Sequence, residues 1–280
     1  MSEGICSTGV IVGTDGSPSA TAAVGWAVAE ARMRRVALGV VHVAAGDTAT
    51  DRDADDILTD AVSTASAEPA GEDIEIGSSR LAGDPVSTLA DLSRTAAMIV
   101  LGRHGDTTRM HRLLGSVSTG VLHHARCPVA VVHVDPTVSA RTRRQPVLVG
   151  VDGSRCSALA AEIAFDEASW RGVDVVALYV CDGGGGPSAN RAEAAALQAE
   201  AEYRLDTALA PLGERHRGVA VHRLIRFESP ARQLLIQGER AQLVVVGSHG
   251  RGALAGVLLG SVSTAVAREV RAPVIVARRS

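Results

Sequence analysis

The two halves of this 280-residue chain repeat one another, and a duplicated unit limits the fold more than any other feature could. Val10-Ile-Val-Gly-Thr-Asp-Gly-Ser17 returns as Val147-Leu-Val-Gly-Val-Asp-Gly-Ser154. Gly102-Arg-His-Gly105 returns as Gly247-Ser-His-Gly250, and Leu114-Gly-Ser-Val-Ser-Thr119 as Leu259-Gly-Ser-Val-Ser-Thr264. Cys127-Pro-Val-Ala-Val-Val132 returns as Ala272-Pro-Val-Ile-Val-Ala277. The offset is 137 from Asp15 to Asp152 and 145 from Gly102 to Gly247, so the second half holds eight extra residues between these points. His42-Val43 matches Tyr179-Val180 at the first offset and Pro85 matches Pro230 at the second. The insertion therefore lies within about 181–229, where Gly183 to Gly186 form a glycine run ahead of a long helical stretch.

One half reads as alternating strands and helices. Val10–Val12 is a short apolar run ending in Gly-Thr-Asp-Gly-Ser, and Pro18 suits the first turn of a helix over about 19–34. Strands follow at Val36–Val43, Ile74–Leu81, Met98–Leu101 and Val129–Val134. Helices fall at about 53–68, Pro85–Thr95 and Ser116–Ala125, and Gly102 to Leu114 is a loop. Asp53, Asp55 and Asp56 favour the first turn of their helix. Parallel strands need crossover connections, so this order predicts an α/β fold. The expectation is two tandem Rossmann-like domains, each a five-stranded parallel sheet flanked by helices. The domains are placed at 1–135 and 147–280, with a linker at 136–146 whose Arg141, Arg143 and Arg144 make a solvated face.

Composition narrows the chemistry. The chain has no Lys, so all 28 basic residues are Arg; a Walker-type phosphate lysine and Schiff-base chemistry are excluded. A net charge of −3 and only 2 Trp, 2 Tyr and 2 Phe argue against nucleic acid as a partner. No run approaches the ~18–20 apolar residues of a membrane span. Met1 to Gly9 lacks the pattern of a signal peptide, which makes the cytoplasm the expected compartment. Cys6, Cys127, Cys156 and Cys181 form no C-x-x-C pair and no zinc spacing, so no metal site is expected and the thiols read as reduced and inert. Cys156, just after a Gly-Ser turn, leaves a redox role open.

In open α/β sheets ligands bind beyond the C-terminal strand ends, at the switch point. Three segments of each half reach that edge: the Asp15 (Asp152) turn, the end of the second strand at Val43 (Val180), and the glycine loop after the fourth strand. Gly102 and Gly105 are expected to adopt positive φ and admit a ligand close to the backbone. Gly115-Ser116 opens a helix whose free N–H groups favour an anion, with Ser116 and Ser118 as added hydroxyl donors. Such a backbone cradle suits a polyphosphate without any lysine. The plainer alternative makes the glycines turns and Ser116 a helix cap. Asp15 and Asp152 either fix their turns or accept hydrogen bonds from a ribose or an adenine edge. His104 and His249 read as exposed loop residues before phosphate contacts, and His123-His124 as surface. No second carboxylate lies nearby in sequence to form a catalytic pair, and Ser17-Pro18 is not a nucleophile elbow.

These motifs resemble the universal stress protein family, over essentially the whole chain. G-x2-G-x9-G-[ST], the signature of that family's ATP-binding branch, occurs at Gly102, Gly105, Gly115 and Ser116, and again at Gly247, Gly250, Gly260 and Ser261. The V-G-x-D-G-S opening at Asp152 and its counterpart at Asp15 also resemble it. The resemblance implies ATP, bound with Mg²⁺, in two sites. Asp15, Val43, Gly102, Gly105, Gly115, Ser116 and Val117 would line the first. Asp152, Val180, Gly247, Gly250, Gly260, Ser261 and Val262 would line the second. It further implies a regulatory stress-response protein with slow or no ATP hydrolysis, a homodimer, and a regulatory protein partner. Two departures stand out. The first loop carries Asp106-Thr-Thr-Arg-Met-His-Arg112 where the second carries the small and apolar Arg251-Gly-Ala-Leu-Ala-Gly256, and Glu228-Ser-Pro230 replaces Gly83-Asp-Pro85. Asp106 beside a phosphate needs Arg103, Arg109 or Mg²⁺ to offset it, so the second site is nearer the family pattern. Two other readings use the same fold: an adenylyl-transferring or ATP-splitting enzyme, and an interaction protein with degenerate sites.

Overall fold

The computed structural model describes residues 8–44, 51–68, 73–103, 114–133, 144–181, 191–251 and 259–278. The chain divides into two compact units, Met1–Val134 with Arg278–Ser280, and Asp135–Ala277. In the first, β1 (Val10–Gly13), α1 (Pro18–Arg34), β2 (Leu38–Ala44), α2 (Asp51–Ala67) and β3 (Ile76–Ala82) are followed by α3 (Pro85–Leu92), β4 (Met98–Gly102), α4 (Ser116–His124) and β5 (Val129–Val132). The second repeats the order with β6 (Val147–Val151), α5 (Arg155–Arg171), β7 (Val175–Val180), α6 (Arg191–Arg215) and β8 (Val221–Arg226). It continues with α7 (Pro230–Gly238), β9 (Leu243–Gly247), α8 (Ser261–Glu269) and β10 (Val274–Ala277). The alternation read from the sequence is the alternation found.

Within the first unit the strands lie in the order β3-β2-β1-β4-β5, and within the second β8-β7-β6-β9-β10, with the registered pairs parallel. Chain direction across the sheet reverses between β1 and β4, and between β6 and β9. Each reversal opens a crevice at the carboxyl edge. The central strands are continuous Val/Ile/Leu runs because helices cover both their faces. Val10, Ile11, Val12, Ile99 and Val100 are fully buried, as are Val147, Val149, Val244 and Val245. In the first unit α1 packs beside α2 and α3 beside α4, so two helical layers sandwich the sheet.

The extra eight residues of the second half sit in a helix: α6 has 25 residues where α2 has 17. Gly183 to Gly186 lie outside the described residues, as do 136–143 of the predicted linker and the predicted strand end at Val134. Of the linker, Gln145 is tied down by Gln242, whose Nε2 donates to its carbonyl at 2.6 Å.

Two strands begin later than the sequence suggests: β3 starts at Ile76 where Ile74 was expected, and β2 shows the reason for its own shift. The expected start at Val36 gives way to Leu38 because Val36 closes the end of α1, its N–H bonding Ala31 O at 3.0 Å. This cap forces Arg35 into the left-handed region, at φ 56°. The matching position of the second copy is Gly172, at φ 64°, with Val173 N bonding Ala168 O at 3.0 Å. Each copy also buries one carboxylate on its first helix. Glu30 meets Arg34 at 2.8 Å and Glu167 meets Arg171 at 3.0 Å, both glutamates wholly excluded from solvent.

Candidate functional site

The second unit shows how the three segments meet. At the end of β6, Asp152 folds the chain into the turn that launches α5. Its Oδ1 accepts from Ser154 N at 2.8 Å, and Gly153 takes φ 82°. Ser154 then caps the helix, its Oγ accepting from Ser157 N at 3.1 Å. The other carboxylate oxygen reaches across the crevice, where Arg251 N donates to Oδ2 at 3.2 Å. Burial acts to raise the Asp152 pKa. Hydrogen bonds from the Ser154 hydroxyl and amide, the Ser157 hydroxyl and the Arg251 amide outweigh it, so the carboxyl lies below its ordinary value. Asp152 thus fixes the turn and joins it to the glycine loop.

That loop leaves β9 at Gly247 and is closed at its neck by Gly260 N donating to Ser248 O at 2.7 Å. Ser263 Oγ donates to Gly247 O at 2.6 Å from within α8. The N-cap of α8 is Gly260, at φ −74° and ψ 155°, and no side chain caps the first turn. The helix N-terminus therefore presents backbone N–H groups and the positive end of its dipole to whatever lies in front. Arg251 stands over the Tyr179 ring at 5.9 Å, adding a cation at the mouth.

Between these segments lies a cavity of about 550 Å³. All seven residues expected for the second site line it: Asp152, Val180, Gly247, Gly250, Gly260, Ser261 and Val262. Val151, Leu178, Pro230, Leu234 and Val246 make one side apolar, while Ser157, His249, Arg251 and Ser263 add polar atoms to the wall. A volume within ~300–1,000 Å³ with a few convergent polar groups is that of a small-molecule site.

Both halves have matching duplicate segments: residues 8–133 and residues 143–278 each match the model of the Universal stress protein family. The chain belongs to the universal stress protein family. Universal stress proteins Rv2005c and Rv2623 of Mycobacterium tuberculosis are each 42% identical to it. The first match covers 97% of both chains, the second 100% of this chain and 99% of the relative. A crystal structure of a universal stress protein from Archaeoglobus fulgidus shares the fold, at TM-score 0.72 and 24% identity over 98% of this chain and 99% of its own. The protein PA1789 from Pseudomonas aeruginosa does so at TM-score 0.69 and 15% identity, over 97% and 92%.

The first unit of this universal stress protein carries the same local bonds. Asp15 Oδ1 accepts from Ser17 N at 3.0 Å, Gly115 N donates to Arg103 O at 2.8 Å, and Ser118 Oγ donates to Gly102 O at 2.7 Å. Gly115 is the N-cap of α4, again without a side-chain bond, and Ser116 and Val117 open the helix. Val43 lies near the end of β2, half-buried, and Asp15 is exposed. Gly105, His104 and the Asp106–Arg112 run with Arg109 lie outside the described residues, as do residues 252–256 of the second loop.

Four expectations change. Gly102 and Gly247 do not take positive φ; the left-handed glycines of the crevice are Gly16, at φ 78°, and Gly153. Gly102 and Gly247 are glycine because a strand end presses on a helix start. A Cβ built on Gly247 would lie 2.8 Å from the Cys156 carbonyl carbon, and one on Gly102 2.6 Å from that of Ser19. Ser118 is not available as a ligand donor, since its hydroxyl proton is spent on Gly102 O, as that of Ser263 is on Gly247 O. Ser116 is not the cap of its helix either; Gly115 is. His249 is no exposed loop residue but part of the cavity wall, half-buried, with Nε2 3.4 Å from Cys156 Sγ. His123 is half-buried and His124 exposed, at the end of α4. The Cys156–His249 contact spans 93 positions, and no local sequence signal announces it. Among the described residues no helix is long and apolar enough to cross a membrane, and no group of three or more His, Cys, Asp or Glu could hold a metal ion.

Proposed function

We propose that this chain is an ATP-binding regulatory protein of the stress response, with a nucleotide site in each half and slow or no hydrolysis. The observation that carries the reading is the convergence of seven residues, expected from the family resemblance, on one cavity of about 550 Å³. Its apolar side, from Leu178 to Pro230 and Leu234, suits a purine base. Its polar side is an uncapped helix N-terminus behind a glycine loop, which suits phosphates with no lysine to hold them. Asp152, Ser261 and Arg251 would fix the sugar and the phosphate tail. Mg²⁺ would arrive with the triphosphate, which supplies most of its oxygen ligands. Slow turnover fits the engagement of Asp152: both carboxylate oxygens already accept backbone N–H groups, leaving a poor base for water.

Isothermal titration with ATP and Mg²⁺ tests the reading, together with mass spectrometry of any ligand released by heating the purified protein. Binding at micromolar levels, with adenine nucleotide co-purifying, is the expected result. No heat of binding up to millimolar ATP would overturn it.

A further inference from the structure

Cys156, His249 and Ser248 meet beside the cavity wall, and the nucleotide reading makes no use of the thiol. Cys156 is the second residue of α5, after the cap Ser154. Its Sγ lies 3.4 Å from Nε2 and 3.8 Å from Nδ1 of His249. Ser248, 2% exposed, has its Oγ 3.1 Å from His249 Nδ1 and donates to Cys156 Sγ at 3.6 Å. A nucleophile within reach of a base, itself held by a third group, is the arrangement by which proteins activate weak nucleophiles. Cys156 lies in the first turn of α5, at the positive end of the helix dipole. Cys156 as a residue is half-buried, whereas Cys127 is buried. Burial pushes the Cys127 thiol up to about 12. The first copy carries Ser19 at the matching position, so the thiol is peculiar to the second site.

We propose that Cys156 is a modification site for small disulfides of the glutathione class, with His249 as its base. His249 accepts the thiol proton, and Sγ attacks one sulfur of the disulfide RS–SR. The S–S bond breaks as the Cys156–S–SR bond forms, and the departing thiolate takes the proton from His249 to leave as RSH. The external disulfide is reduced to one thiol while Cys156 is oxidised to the mixed disulfide. His249, which Sγ touches, lines the cavity, so a group carried on Sγ would lie beside it. On the nucleotide reading above, on which this last consequence rests, modification and ATP exclude each other.

The test treats the full-length protein with oxidised glutathione and follows each cysteine by peptide mass spectrometry. Cys156 should react at least tenfold faster than Cys127, and at least fivefold slower when His249→Gln or Ser248→Ala removes the base or its holder. Equal Cys156 rates in the wild type and both variants would overturn the site. Modified wild type should lose at least tenfold in ATP affinity by titration. The Cys156→Ser variant, which carries the residue of the first copy, should keep its affinity through the same treatment. An unchanged affinity of the modified wild type would overturn the exclusion. Should the untreated protein bind no ATP, the nucleotide reading fails, and the cysteine rates still decide the thiol site.

Discussion

Two glycines of one motif should fail in different ways when enlarged, and the structure says how. At Gly247 an added methyl carbon would stand 2.8 Å from the Cys156 carbonyl carbon, 2.9 Å from its Cβ and 3.0 Å from its carbonyl oxygen. Ordinary carbon contacts are about 3.5–4.0 Å, so the start of α5 must retreat from β9 by roughly half an ångström or more. Two of the three obstructing atoms are backbone, so no rotamer change relieves them. Overpacking of this kind costs about 1–3 kcal/mol, and the backbone case belongs at the upper end. At Gly260 the nearest atoms to an added methyl are 3.3 and 3.4 Å away, and φ of −74° is open to any residue. Gly260→Val should therefore cost about 1 kcal/mol, from the weaker cap and a shift of a few tenths of an ångström in the Ser248–His249 backbone. Its branches, however, fill the space before the α8 N-terminus. Thermal unfolding of the full chain should show a transition lowered by roughly 8–12 °C in Gly247→Ala and by roughly 4 °C in Gly260→Val. ATP titration well below the transition should show at least a tenfold loss in Gly260→Val and under threefold in Gly247→Ala. A Gly247→Ala protein that melts like the wild type would refute the packing argument. Unimpaired ATP binding in Gly260→Val would refute the role of the helix N-terminus.

Other substitutions test the same reasoning. Arg35→Gly should stabilise the chain by about 1 kcal/mol, visible as a higher urea midpoint, because it relieves a left-handed arginine where the second copy has Gly172. Arg171→Ala should cost about 3 kcal/mol in the same assay, since Glu167 is wholly buried and loses its 3.0 Å ion pair. Asp152 has its carboxyl below the ordinary value, so its contribution is complete above about pH 4 and is lost as pH falls toward the folded-state value. The stability gap between wild type and Asp152→Asn, measured by urea unfolding, should accordingly be widest near neutrality and shrink below about pH 4.

Much of the site was legible because its signals are local. An apolar run ending in Asp-Gly-Ser marks a strand turning into a helix, and Asp152 and Ser154 do bond within two or three residues of themselves. Pro85 and Pro230 mark helix starts for the same reason. What misled was function assigned to residue type: Ser118 looked like a ligand donor, but the Gly102 carbonyl sixteen residues away takes its hydroxyl.

The duplicated sequence by itself determined the element order, the parallel sheets and the switch points, because periodicity, turn chemistry and crossover rules act along short stretches of chain; the seven residues on the cavity wall came from the family resemblance that its motifs carry. Tertiary structure alone decided which glycines are packing residues, that Arg251 bonds Asp152 across 99 positions, and that Cys156 meets His249. Those facts depend on which distant side chains share a volume a few ångströms wide, and no local pattern encodes that.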